Sequence, residues 1–320
     1  MSNHYDIFNG DADGIIALLQ LRLAEPKQST LITGVKRDIK LLKQVEAKAG
    51  DSLTVLDISM EKNSEDLQRL LNAGASVFYA DHHRAGDIPA TELLESHIDL
   101  DANTCTSLIV DSLLNGQYHS WAIAAAYGDN LIAVGDKLAA KAGLTLGEAS
   151  LLKELGTLIN YNGYGATVTD LHFAPADLYQ KLLPYSSPFA VIEDSQSPYH
   201  VLKAGYESDM NHALALEPIA DEVVCTAFAM PNEAWSKRIS GVFGNELANK
   251  SPNKAHIVFT ENADGTFTVS LRAPLNNKQG AGDICSQFPT GGGRAAAAGV
   301  NALPAEMREA FIKAVNDYYS

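Results

Sequence analysis

Short apolar blocks end at Phe8, near Val35, at Leu56 and at Ala80, and between them apolar residues recur every three or four positions. This alternation predicts strands ending at Phe8 and spanning 30–35, 53–56 and 77–80. Helices are expected over 15–23, stopped by Pro26, over 40–49, and over 65–73 with Gly74 as the C-cap. Strands that alternate with helices in this way form βαβ units and a mainly parallel sheet. From 106 to 158 the period becomes helical throughout, with helices over 107–114, 121–127, 131–141 and 146–158. Gly128-Asp129-Asn130 interrupts this run, and 160–165 reads as a turn-rich loop. Residues 171–201, with Pro175, Pro184, Pro188 and Pro198, read as short helices and connectors, and a helix over 206–216 leads out of them. The remainder is a second α/β unit: a strand over 223–229, a helix over 233–247, and a hairpin pairing 256–260 with 267–272 across Asn262-Ala263-Asp264-Gly265. A short helix over 282–288, a glycine-rich loop over 291–294 and a closing helix over 304–318 complete it. The expected division is a first domain over 1–200, a linker helix over 201–220 and a smaller α/β domain over 221–320.

Composition narrows the class. A chain of 320 residues with 46% hydrophobic and 20% charged residues has enough apolar content for two cores. It holds no apolar run long enough to span a bilayer, and its first residues lack a basic, apolar leader, so no membrane association and a cytoplasmic location are expected. Three widely spaced cysteines fit reduced thiols better than disulfides or a thiolate zinc site. The net charge of -15 argues against a long nucleic acid, whose binding draws on many Lys and Arg contacts to phosphate. A short anionic substrate held by metal ions and a few arginines remains compatible with it.

Carboxylates and imidazoles stand at the strand ends: Asp11 and Asp13 in Asn9-Gly10-Asp11-Ala12-Asp13-Gly14, Asp57 after the third strand, and Asp81-His82-His83 after the fourth. Asp129 sits at the helix break. Singly, each has a plain reading as an Asx turn, a helix N-cap or a surface histidine pair. Jointly, at the edge where open α/β sheets place their active sites, they describe a divalent-metal centre. Carboxylates with added imidazole shift the choice from magnesium toward manganese or a later transition metal. Asp11 and Asp13 can each address one of two ions, Asp57 can bridge them, and His82 and Asp129 can complete a shell. His83 is then left to face substrate, in a site that activates water between two ions. In the second unit, three consecutive glycines allow backbone N–H groups to approach an anion, a helix start behind them would add its dipole, and Arg272 with Arg294 could clamp a phosphate. Tyr161 and Tyr164 read as loop packing ahead of base stacking.

Asp11-Ala12-Asp13-Gly14, Asp57, Asp81-His82-His83 and Gly128-Asp129 resemble the four motifs of the DHH phosphoesterase superfamily, and the stretch from Gly291-Gly292-Gly293-Arg294 to Gly299 is similar to the signature of its DHHA1 domain. The resemblance implies a DHH domain with a parallel sheet and flanking helices, a DHHA1 domain, and a cleft between them. It implies a Mn2+-dependent phosphodiesterase with two ions, Mg2+ or Co2+ being substitutes. Short RNA is the expected substrate, dinucleotides such as pGpG foremost, hydrolysed to mononucleotides; a homodimer is compatible. The metal ligands would be Asp11, Asp13, Asp57, His82 and Asp129, with Asn9 a weak addition. Asp81 would ligate or orient His82, and His83 would stabilise the reacting phosphoryl group. Gly291, Gly292, Gly293, Arg294 and Arg272, the last resembling a Ser-x-Arg substrate contact, would hold the substrate. Asn9 stands where relatives usually carry His or Asp, and Arg294 where they carry a glycine-flanked His. Arg294 suits the O6/N7 edge of guanine. Within the same chemistry, a cyclic-dinucleotide phosphodiesterase or a pAp phosphatase is an alternative; outside it, a non-catalytic nucleotide-binding regulator.

Overall fold

The computed structural model describes residues 2–320 and divides into two compact units after Ala204. In the first, β1 (His4–Phe8), β2 (Thr30–Ile32), β3 (Ser52–Leu56), β4 (Ser76–Asp81) and β5 (Leu94–Ile98) form a wholly parallel sheet in the order β2-β1-β3-β4-β5. Its central strands are largely buried, with Ile7, Phe8, Leu53, Val55, Leu56, Val77, Tyr79 and Ala80 enclosed, because both faces are covered, as parallel sheets require. α1 (Ala12–Ala24) is buried almost all round, with Ile15, Ile16, Ala17, Leu18 and Leu19 fully enclosed. α2 (Ser64–Asn72) instead turns Leu67, Leu70 and Leu71 into a core shared with Leu53, Val55 and Val77.

The helical half of this unit comprises α3 (Thr106–Leu113), α4 (His119–Gly128), α5 (Ile132–Lys141), α6 (Leu146–Gly163), α7 (Pro175–Leu182) and α8 (Pro188–Glu193). α4 carries Ala122, Ala124, Ala125 and Ala126, all buried, and these small residues let α6 approach it at backbone distance. A Cβ on Gly156 would lie 1.9 Å from the Ala124 carbonyl oxygen, and one on Gly128 would lie 2.8 Å from that of Gly156. The glycines are therefore required by the crossing rather than by a turn.

Two local expectations are corrected, and one strand goes unforeseen. Residues 40–49 hold only a single turn at Leu42–Gln44. Leu41, Leu42 and Val45 enter the core, while the Leu42 and Val45 carbonyls accept from the Arg69 guanidinium instead of continuing a helix. The loop expected over 160–165 is largely the end of α6: Asn162 caps its neighbourhood by accepting from the His172 and Phe173 amides and donating to the Phe173 carbonyl. Strand β5, half-buried at the sheet edge, gives no apolar alternation in sequence and goes unseen there.

α9 (Pro198–Leu214) carries the chain across the division. The second unit is built on a six-stranded sheet in the order β10-β11-β9-β8-β7-β6, comprising β6 (Ala220–Asp221), β7 (Cys225–Met230), β8 (Ala255–Glu261), β9 (Phe267–Arg272), β10 (Gly291–Gly293) and β11 (Ala297–Leu303). Only β7 and β8 pair in parallel, joined through α10 (Ala234–Lys250); the β8–β9 hairpin turns at Gly265, whose φ of 80° needs glycine. α11 (Ala281–Cys285) and α12 (Arg308–Tyr319) bury Ile284, Phe311 and Val315 with Ile257, Phe259 and Leu271. Cys105, Cys225 and Cys285 are buried and unpaired. No helix among the described residues is long and apolar enough to cross a membrane.

Candidate metal centre

The parallel strands deliver their carboxylates to one edge in register. Asn9 follows β1 and donates its backbone N–H to Leu56 O, Asp57 follows β3 and donates to Ala80 O, and Asp81 closes β4. Asp57 is held at φ 59°, in the left-handed region that Asp tolerates better than most residues. Strain of this kind collects at functional sites.

The next turn fixes the first two aspartates. Asp11 caps α1, its Oδ1 accepting from the Asp13 and Gly14 amides at 3.1 Å. Asp13 reaches across to α3, where its two oxygens accept from the Thr106 and Ser107 amides at 2.7 Å. It thereby satisfies donors that Cys105, the residue at the cap position, leaves open. Thr106 then donates its hydroxyl to Asp57 Oδ1 at 3.1 Å. Asp129 stands at the C-terminal end of α4, where the helix dipole disfavours a carboxylate and favours a cation.

These elements converge on His82. Its Nε2 lies 3.5 Å from Asp57 Oδ1, 3.8 Å from Asp13 Oδ2 and 4.0 Å from Asp129 Oδ2. Such spacings exceed a hydrogen bond. They match donors that share one ion, which stand roughly 3–4 Å apart when each is about 2.1 Å from the metal. His83 packs edge-on against His82, and ligating atoms of Asp57, His82 and His83 all fall within 4.8 Å of one another. The expected link from Asp81 to His82 is corrected: Asp81 Oδ1 binds His83 Nδ1 at 2.7 Å, which fixes a ring that keeps 39% of its surface exposed.

The electrostatics call for added positive charge. Burial, followed by repulsion from Asp13, Asp11, Asp81 and Asp129, raises the Asp57 pKa well above the usual carboxylate range. Burial also raises that of Asp129, against the pull of Lys36. Asp11 behaves oppositely: burial would raise it, yet the Lys36 ammonium holds it at about 2. Asp81 Oδ2 and Asn9 Oδ1 are buried without a hydrogen-bond partner among the described residues. A cluster of acids with unmatched acceptors and an imidazole at its focus fits a hard or borderline divalent cation.

Lys36, Thr106 and Asn160 are parts of the site that sequence reasoning missed. Lys36 Nζ binds Asp11 Oδ2 at 2.5 Å and Asn160 Oδ1 at 3.0 Å, and lies 5.4 Å from the centre of the Tyr164 ring. The one faint signal was that Lys36-Arg37 opens a basic stretch in an acidic chain, which by itself reads as a solvated loop. Thr106 and Asn160 carried no signal, since each acts through a partner at least 49 residues away.

The second unit holds the remaining candidates. Arg272 is committed inward, donating to Asn245 Oδ1 at 2.7 Å, Ser270 Oγ at 3.0 Å and Gly241 O at 3.2 Å, so its geometry is that of a strut between β9 and α10. Gly291–Gly293 is strand β10, paired antiparallel with β11. The expected helix start directly behind the glycines is replaced by a hairpin turn, closed by the Arg294 amide donating to Ala297 O, and the N-terminus of α11 lies against that turn instead, its Ala281 amide donating to Ala295 O. Arg294 itself is exposed at the tip.

A parallel sheet ending in an aspartate–histidine cluster, followed by a second α/β unit, is the fold that the resemblance in the motifs implies. Residues 221–320 match the family described as the DHHA1 domain. Among solved structures, the chain is similar over 99% of its length to the exonuclease RecJ bound to manganese, with TM-score 0.64, 17% identity and 90% of that chain covered. It is likewise similar to RecJ in complex with Mn2+ from Thermus thermophilus, with TM-score 0.65 and 18% identity, where it spans 52% of that chain. The pGpG-specific phosphodiesterase PggH from Vibrio cholerae is matched with TM-score 0.56, 12% identity and 99% of that chain. At these identities the likeness is one of fold. No curated protein matches the chain.

Proposed function

We propose that the chain is a metal-dependent phosphodiesterase that hydrolyses short oligoribonucleotides, dinucleotides such as pGpG foremost, to mononucleotides, with manganese as the working ion. The observation that carries this reading is His82 Nε2 within 4.0 Å of carboxylate oxygens of Asp13, Asp57 and Asp129 at the C-terminal edge of the sheet. Two RecJ structures of the same fold contain manganese, and PggH is a pGpG-specific phosphodiesterase, which supports both the ion and the substrate class.

Asp13, Asp57, His82 and Asp129 would hold the ion, which when bound supplies an acidified water and polarises a phosphoryl oxygen. Asp13 is kept rigid by the α3 amides and Asp57 by Thr106, so neither ligand needs to reorganise during the reaction. His83, anchored through Nδ1 by Asp81 and partly exposed, is the side chain placed to hydrogen-bond a phosphoryl or leaving oxygen. Arg294, exposed on its hairpin, is proposed to read the guanine edge. The test is Mn2+-dependent release of GMP from pGpG by the purified chain, with a cyclic dinucleotide and pAp as competing substrates. Loss of turnover in His82→Ala is expected. Retained turnover in metal-saturated Asp57→Ala would sink the mechanism.

A further inference from the structure

We propose that Lys36 stands where a second cation would otherwise be held, so that the centre takes one divalent ion rather than two. The proposal rests on the reading of the cluster as a metal centre and on three observations.

The first is that Asp11, unlike Asp13, has a cationic side chain on one of its carboxylate oxygens. Its Oδ1 accepts two backbone amides and its Oδ2 accepts the Lys36 ammonium. The second is that Lys36 is built in rather than draped over the site. Its backbone amide donates to Gly163 O at 2.8 Å, its carbonyl accepts from Asn9 Nδ2 at 3.2 Å, and its Nζ is held from the far side by Asn160 Oδ1. Lys36 thus ties the end of α6 to the turn that precedes α1. The third is the composition of the two halves. Around His82 the donors are Asp13, Asp57 and Asp129, enough for one ion, whereas the residue two positions before Asp11 is Asn9, a neutral amide.

The Lys36 ammonium on Asp11 Oδ2 opposes, by charge repulsion, a dication held by the same carboxylate. Lys36 then contributes a permanent positive charge next to the ion, a role that metal supply does not regulate. Removing it would free Asp11 Oδ2 of its cation, and a second ion could enter.

Metal-stripped full-length protein is titrated with Mn2+, and bound ions are counted and examined by electron paramagnetic resonance, with folding followed by circular dichroism. The wild type is expected to bind one ion per chain with the six-line spectrum of an isolated Mn2+, Lys36→Arg to do the same, and Lys36→Ala to bind two with a spin-coupled spectrum. Two ions per chain in the wild type would overturn the proposal while leaving the phosphodiesterase reading intact. One ion in both the wild type and Lys36→Ala would show that Lys36 is not what excludes the second, and would also overturn it. A wild type that binds no manganese would overturn this inference and the metal-dependent reading together.

Discussion

Asp57→Asn gives the sharpest test of the electrostatics. The substitution preserves shape and leaves an oxygen for the Thr106 hydroxyl, which donates to Asp57 Oδ1 at 3.1 Å, while removing one charge from a crowd of acids. Since both oxygens lie close to His82 Nε2, at 3.5 Å for Asp57 and 4.0 Å for Asp129, the two carboxylates are at most about 7.5 Å apart. At an effective dielectric constant of about 20 that separation gives roughly 2 kcal/mol of repulsion. The chain can escape repulsion by protonating Asp57, at a cost of about 4 kcal/mol at pH 7, which sets the ceiling. Metal-free Asp57→Asn should therefore be more stable than metal-free wild type by about 2–4 kcal/mol. For a unit of this size that raises the melting midpoint by at least about 4 °C. Manganese at a hundred times its dissociation constant should stabilise the wild type by about 2.7 kcal/mol and the variant hardly at all. Differential scanning fluorimetry in chelator, then with added Mn2+, reads both effects. A variant less stable than the wild type without metal, or one with an equal manganese shift, would refute the account.

A second prediction concerns pH. The folded-state pKa of Asp57 is raised by burial and then by its acidic neighbours, so the stability it contributes is present below about pH 4 and is lost as pH climbs through the raised value. Denaturant titrations in chelator should show the first unit losing stability toward neutrality, and manganese should flatten that loss; a metal-free chain that gains stability over this range would contradict it. Arg272→Ala should weaken the second unit by about 1–3 kcal/mol, because it removes the donor to Asn245 Oδ1 that ties β9 to α10. The check is the thermal transition of the second unit, and an unchanged transition would return Arg272 to a substrate role. Arg294→Ala should leave stability alone and cut the preference for pGpG over pApA by about 10- to 100-fold, consistent with one bidentate base contact. Equal losses on both dinucleotides would remove base reading from this residue.

The strands ending at Asp57 and Asp81 were legible because a buried parallel strand must be apolar along its length and its terminal acid stands out against that run. The β8–β9 hairpin was legible for a similar reason, since its turn needs Gly265 at positive φ. What stayed hidden was set by distant partners. The stretch over 40–49 has helical spacing, but the Arg69 guanidinium takes its carbonyls. The end of α6 reads as a loop until Asn162 is seen bridging to Phe173. The glycine-rich segment was correctly singled out, yet its pairing with β11 depends on a register that composition does not encode. In the centre the acids and histidines announced themselves, while the lysine that neutralises Asp11 did not, because a lysine after a strand is ordinarily solvated.

The α4–α6 crossing bears on how inactive versions of this chain would arise. Asp129 is carried by the last turn of α4, whose distance from α6 is limited by the missing side chain of Gly156. An alanine at position 156 would push the helices apart and carry Asp129 with them, although no motif residue had changed. A lineage could thus lose its chemistry while every recognisable ligand survived, and the defect would be invisible to any comparison made at the motifs alone.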